Sequence, residues 1–382
     1  MTTNVSSRMR WIDHLRTFVI FLVVIQHACV TYSHVGSWYI LSKSEPSFCT
    51  KILFVLWQGH AQSFFMGLLF FISGYFAELA LARKGTSAFL RERWSRLGLP
   101  TLFFMLVITP FIIMVLKPWY EPVDSIATFY RNYLLSGRFV GSTGPMWFAF
   151  ALLIFCVVFA GWRAVFKPNP VSASSPLTVF KLCMVGIALV ITTFVTRLWF
   201  PLGSSVINFQ LGYFPQYILA FILGIVAARH QWLQLFAASR IAKRAGLIAI
   251  VAGPIALLAV VYLNLSLGDK LSEAIGGGLR WPAFELAAWE QLSGLGIALG
   301  LLALFSSRFN IESHPIRWLS DRSFGVYLFH TPVLIAFTLW FRPLEASVHP
   351  LALAAMLSVA GLLVGFGIAD VARRIPVLRA IV

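Results

Sequence analysis

Arg16 and His27 are eleven residues apart, a spacing that in a helix closes three turns with an offset of only ~20°. The guanidinium and the imidazole therefore share one face, separated by a rise of ~16 Å. An imidazole serves as base or nucleophile near neutral pH, whereas a guanidinium grips carboxylates and phosphates through paired N–H groups. Asp13, three positions before Arg16, is spaced to pair with that guanidinium and orient it. His34, seven beyond His27, continues the same face. Taken singly, Arg16 reads as an anchor at a membrane surface and His27 as a hydrogen-bonded interior residue. Together on one face they describe a path from a charged end to a buried base.

A second imidazole lies in Ser323-Phe-Gly-Val-Tyr327-Leu-Phe-His330-Thr-Pro332, where Pro332 frees a backbone carbonyl nearby. His330 is thus either a packed interior group, a group that orients the acceptor, or a substitute for His27 as base. Arg93 and Arg96 share one face beside Arg91. Such a cluster suits a multiply phosphorylated ligand, and it suits a lipid headgroup equally well. In Gly144-Pro-Met-Trp147-Phe, Trp147 reads as an interfacial belt residue or as a wall of a binding site. Ser73-Gly74 would let a neighbouring helix backbone come close.

The elements that must position these groups are membrane helices. Of 382 residues, 59% are hydrophobic and 12% charged, against roughly 45–50% and 25% in soluble domains, so no water-soluble surface can be built. Apolar runs long enough to cross hydrocarbon, about 20 residues each, recur at 14–34, 54–80, 98–117, 145–165, 181–200, 212–229, 245–265, 285–305, 323–341 and 350–370. The first run lacks a small-x-small exit and carries Gln26 and His27, so it reads as a retained helix rather than a cleaved leader. The boundaries are least defined over 181–229, where Arg197, Pro201 and Pro215 interrupt the apolar text. The expected fold is an all-α integral membrane protein of about ten helices, with residues 1–382 forming one polytopic domain in the cell membrane.

The chain carries 30 Lys and Arg against 14 Asp and Glu, a net charge of +16. In a soluble protein that excess would suggest nucleic acid. Here 21 of the 30 basic residues fall on one side of the ten spans when the N-terminus is placed inside, as the positive-inside rule requires, and no nucleic-acid partner is expected. Membrane lipids are the partner the surface implies. Cys29, Cys156 and Cys183 lie in apolar runs, which leaves Cys49 without a disulfide partner. No G-x-S-x-G elbow, Walker loop, H-E-x-x-H or Cys/His zinc spacing is present, so neither a metal nor a redox cofactor is implied.

Five stretches in order resemble the membrane-bound acyltransferase-3 family, in its branch of glucan-modifying members. They are Ile12-Asp13-His-Leu-Arg16 with His27; Phe70-Phe-Ile-Ser73-Gly74-Tyr-Phe76; Arg93-Trp-Ser-Arg96-Leu with Pro100; Met146-Trp147-Phe148; and Ser323 to Pro332. The resemblance runs through nearly the whole chain. It implies a ten-helix acyltransferase that takes an acetyl- or succinyl-class group from cytoplasmic acyl-coenzyme A, a substrate rather than a cofactor, and delivers it to a hydroxyl of an extracytoplasmic glycan or related acceptor. The family's arginine-x10-histidine motif falls on Arg16 and His27, and its arginine-x-x-arginine motif on Arg93 and Arg96. On this reading the acyl-coenzyme A contacts are Arg16, Arg93 and Arg96, the catalytic group is His27 with Arg16, Asp13 and His330, and His34 and Trp147 lie on the acceptor side. One departure is Leu152, where many members carry a glutamate; the glucan branch lacks it too. A transporter or flippase of a glycan or lipid is the alternative from another class. It would move an unmodified solute without acyl turnover.

The charge distribution predicts a topology with both termini in the cytoplasm, Arg93 and Arg96 inside, and Cys49 and Lys270 outside. Labelling of single introduced cysteines with an impermeant thiol reagent should modify positions 49 and 270 in intact cells and spare 93 and 96. Ready labelling at 93 would overturn the assignment.

Overall fold

The computed structural model describes residues 9–116, 125–166, 178–379 and 381. Of the residues used to assign topology, Arg8, Lys117 and Lys167 lie outside that set. Among the described residues, ten helices are long and apolar enough to cross a membrane: α1 Arg10–Ser33, α2 Phe48–Lys84, α3 Thr86–Leu116, α4 Gly144–Val165, α5 Val179–Arg197, α6 Leu211–Arg229, α7 Arg240–Leu263, α8 Trp281–Arg308, α9 His314–Ala346 and α10 Pro350–Arg374. Each matches one of the expected runs, with α1, α5 and α7 ending one to three residues before them, and the chain is a multi-pass membrane protein.

The helices overshoot the apolar runs where nothing stops them. α2 reaches 37 residues because Ser47 caps its start by accepting from the Thr50 N–H at 3.4 Å, well before the first strongly apolar turn. Gly85 at φ +75° separates α2 from α3, and its N–H closes on the Leu81 carbonyl at 3.0 Å, a glycine-dependent stop. Arg91, Arg93 and Arg96 consequently lie inside α3, not in a loop before it. α3 also contains Pro100 and Pro110, whose rings would clash with a carbonyl one turn back. The helix passes them through widened π-type turns at Trp94–Gly98, Phe104–Ile108 and Ile112–Leu116, a known way to absorb such a defect.

α1 is the hub, packing against α2, α8, α9 and α10. Two polar bonds lock it to α9 at different heights: Thr17 Oγ1 donates to Ser320 Oγ at 3.0 Å, and His27 bonds His330 at 3.1 Å. Both pairs are 303 residues apart in sequence, so the two helices run parallel and in register. Elsewhere α2 crosses α6 at glycines. A Cβ on Gly74 would lie 2.1 Å from the Phe221 carbonyl oxygen, and one on Gly224 would lie 2.0 Å from that of Phe71. The close approach expected of Ser73-Gly74 is made by Gly74.

Ion pairs gather at the bundle end that holds the start of α1. Glu78 of α2 takes both carboxylate oxygens to Arg163 of α4 at 2.7 and 2.8 Å and meets Arg229 of α6 at 3.8 Å. Arg322 of α9 pairs with Asp370 of α10 at 2.6 Å, and Arg10 reaches Glu312 between α8 and α9 at 2.8 Å. These contacts join the ends that up-and-down topology brings together, and they gather basic residues of α1, α4, α6 and α9 with their carboxylate partners at one end of the bundle.

Candidate active site

The His27–His330 contact fixes the proton positions of both rings. His330 Nδ1 lies 2.7 Å from the Tyr327 carbonyl oxygen, and a carbonyl only accepts, so this nitrogen carries the proton. With the rings neutral, His330 Nε2 is an acceptor and His27 Nδ1–H donates to it at 3.1 Å. His27 Nε2 is then left with its lone pair. His330 is fully buried, whereas His27 is half-buried. The carbonyl that Pro332 leaves without its N–H partner is that of Leu328, four residues back; His330 uses Tyr327, one earlier.

The surroundings hold this pair from three directions. Trp38, in the segment after α1, stacks on His27 with ring centroids 4.1 Å apart. The Tyr327 hydroxyl donates to the Pro145 carbonyl, which ties the start of α4 to the α9 turn carrying His330. Phe148 packs edge-on against Tyr327 at 6.5 Å. Trp147, beside it, stacks on Tyr217 at 5.5 Å and so belongs to the neighbouring aromatic layer rather than to the imidazole pair. His34 ends α1 in the left-handed conformation at φ 56°, and its Nε2 bonds Ser42 Oγ at 2.9 Å.

Three arginines converge at the basic end. Arg16 lies within electrostatic range of Asp13, Arg93 and Arg96. Arg16 and Arg96 are exposed and Arg93 is half-buried. Arg96 meets Glu92 at 3.3 Å, while Lys84 takes the other carboxylate oxygen at 2.6 Å. Arg93 lies over the Phe89 ring at 5.1 Å, and its Nε is buried without a hydrogen-bond partner. Like charges within electrostatic range repel, and a nearby anion offsets that repulsion. Guanidinium donors suit phosphate or carboxylate oxygens.

A further polar knot went unread in the sequence. Arg197, which interrupts the apolar run 181–200, is the last residue of α5 and fully buried. Its Nη2 donates to both oxygens of Glu290 on α8 at 2.9 and 2.8 Å, its Nε donates to the Gly212 carbonyl at 3.2 Å, and Tyr213 lies beneath it at 5.2 Å. Gln291 donates to Glu290 at 2.9 Å, and Gln216 donates to Gln291 at 3.1 Å and to the Ser63 carbonyl at 2.6 Å. Gly278 at φ +82° donates to the Arg197 carbonyl at 3.0 Å, which explains the glycine run 276–278. The signal available was Glu290-Gln291 inside an apolar run, since an acid at membrane depth demands a partner.

Ten long apolar helices, among them α1 and α9 joined through a pair of hydrogen-bonded imidazoles, define a multi-pass membrane protein with a buried polar centre. A family model described as an acyltransferase domain, acyltransferase-3, matches residues 9–370. The chain therefore belongs to the acyltransferase-3 family and is a membrane-bound acyltransferase. It is similar to the glucans biosynthesis protein C of Salmonella schwarzengrund, 23% identical over 357 residues, which covers 90% of this chain and 86% of the relative. Those of Salmonella heidelberg and Salmonella typhi are each 22% identical over the same length and shares. No solved structure matches the chain.

Removing one member of the Arg197–Glu290 pair strands the other as an uncompensated buried charge, at a cost of about 3–5 kcal/mol. Arg197→Met should accordingly lower the melting temperature of the detergent-solubilised protein by several degrees. The double variant Arg197→Met with Glu290→Leu should recover part of that loss, because it strands no charge.

Proposed function

We propose that this acyltransferase moves an acetyl- or succinyl-class group from cytoplasmic acyl-coenzyme A to a hydroxyl of an extracytoplasmic glycan. The observation that carries the reading is the His27–His330 hydrogen bond, which leaves His27 Nε2 as a lone-pair base on the same helix as Arg16. The printed names of the similar Salmonella proteins support a glucan as the acceptor. The basic end of the bundle is assigned to the cytoplasm by the positive-inside rule.

In this reading Arg16, Arg93 and Arg96 grip the phosphates of coenzyme A, with Asp13 opposing the charge repulsion at Arg16. The pantetheine arm runs along α1 and presents the thioester near His27. An acceptor hydroxyl enters from the end bearing His34 and Trp147. His27 Nε2 takes the hydroxyl proton as the oxygen attacks the acyl carbon. His330 holds the ring in the required tautomer and faces the positive charge with a lone pair. When the C–S bond breaks, His27 returns the proton to sulfur, releasing an ester and the free thiol of coenzyme A.

His27→Ala should express and fold yet lose acyl transfer by about 100-fold or more, the usual worth of a general base. His330→Ala should lose less, because it removes the orienting acceptor and leaves the base. Turnover at matched amounts of folded protein checks both, and near-normal transfer by His27→Ala would end the proposal.

Replacing Arg93 and Arg96 together with Ala should weaken acyl-coenzyme A binding, with Lys at both positions rescuing only in part, since ammonium lacks the two-point fork. Isothermal titration with coenzyme A reads this directly. Unchanged affinity in the double Ala variant would make the two arginines lipid anchors.

A further inference from the structure

Trp38 belongs to no membrane span, yet its indole lies flat on the His27 ring, with centroids 4.1 Å apart and planes inclined by 18°. It is also nearly parallel to His330, at 6.3 Å and 17°. The segment that carries it is fastened at several points. The Ser42 N–H donates to the Thr31 carbonyl at 2.9 Å, and Gln58 Nε2 donates to the Val35 carbonyl at 3.1 Å. The Lys43 N–H donates to Glu345 Oε2, near the end of α9, at 2.9 Å. The loop is therefore built to return this indole to the imidazole.

Trp38 Nε1 is buried and has no hydrogen-bond partner. An indole nitrogen is a donor only, and buried Trp N–H groups usually find an acceptor. Here the fold keeps an unpaired donor against the one ring in the pair whose second nitrogen is free to act as a base. An acceptor that arrives only with the substrate accounts for the vacancy.

We infer that Trp38 Nε1–H donates to the carbonyl oxygen of the acyl group under transfer, where it meets the oxyanion of the tetrahedral intermediate. The inference rests on the reading of His27 as the base. Two substrate oxygens approach the pair of rings. The attacking hydroxyl gives its proton to His27 Nε2 and spends a lone pair on the acyl carbon, so a donor placed on it would weaken the attack. The carbonyl oxygen gains the electron pair of the C=O bond, so a donor placed on it stabilises the intermediate. When that pair returns, the C–S bond breaks, and the sulfur takes the proton held by His27. The donor keeps its own proton throughout, because in stacked, near-parallel rings the in-plane N–H of one and lone pair of the other do not point at each other.

The test uses the full-length protein in lipid nanodiscs, with acetyl-coenzyme A and succinyl-coenzyme A as donors and water as the acceptor, so that no glycan need be identified. Trp38→Phe keeps a stacking ring and removes the N–H. Its kcat should fall by about 100-fold, as on loss of an oxyanion donor, while KM for acyl-coenzyme A stays within about two-fold. Trp38→His, which restores a ring N–H, should recover part of the rate. A Trp38→Phe protein that melts normally and turns over within about three-fold of the parent would overturn the inference and leave the indole as a platform. A loss confined to KM would overturn it as well, since that contact would form in the ground state. Failure of the parent to release coenzyme A from either donor would instead count against the acyl-transfer reading. Normal rates in His27→Ala alongside a slow Trp38→Phe would remove the base assignment and keep the N–H donor.

Discussion

A polar atom inside a membrane has no water to fall back on, so each donor and acceptor at that depth needs a partner within the protein. In this chain the consequence is most visible where α1 meets α9. Two imidazoles there share one hydrogen bond, and a backbone carbonyl sets the proton on the buried member. Because Thr17 and Ser320 repeat the same sequence offset nearer the basic end, the two helices cannot slide without breaking both bonds. The parallel register of α1 and α9 is thus a condition for the tautomer that leaves His27 Nε2 free.

The arginines of the bundle show the same constraint met in two ways. Arg197 is fully enclosed and answered by Glu290, with Gln291 and Gln216 extending the network, while its Nη1 is left without a hydrogen-bond partner. Glu78 plays the same part for Arg163 and Arg229. Arg16 instead lies within electrostatic range of Arg93 and Arg96, with Asp13 opposing them and Glu92 shared between Lys84 and Arg96. A group of guanidinium charges in partly open space is stable in water. It becomes favourable in its own right when a phosphate is present. The first kind of arginine ties helices together, and the second, in the proposed reading, offers its donors to a ligand.

What the sequence revealed follows the range of the interactions involved. The ten spans were legible because about 20 apolar residues in a row have one good solution in a bilayer, and the shared face of Arg16 and His27 was legible because helical periodicity is local. Helix ends were less so, since caps such as Ser47 and Gly85 extend helices past the apolar text. Arg197 was legible only as a charge that interrupts the run 181–200, and its pairing with Glu290, 93 residues away, places it in the core. The bond between His27 and His330 joins residues 303 apart, so His330 could be suspected but not paired. Trp38 gave no signal, because a tryptophan in a loop rich in aromatics has no periodicity to betray its direction.

α1 also explains why guanidinium and imidazole are carried by one helix rather than by two. A helix is a stiff ruler: the rise of ~1.5 Å per residue fixes Arg16 about 16 Å from His27, and one inserted residue would turn the imidazole ~100° away from the arginine face. If the donor is anchored by its phosphates at the arginine end, the reach of its arm, not the strength of its grip, determines which atom meets the base. Packing of α1 against four other helices removes the bending that would blur this distance. The acyl group can therefore vary only beyond the carbonyl carbon, on the side away from the thioester. Selection among acyl groups then falls to the walls around the imidazole pair, and the α9 turn at Tyr327, the start of α4 at Pro145 and the returning loop at Trp38 are the three surfaces in place to supply them.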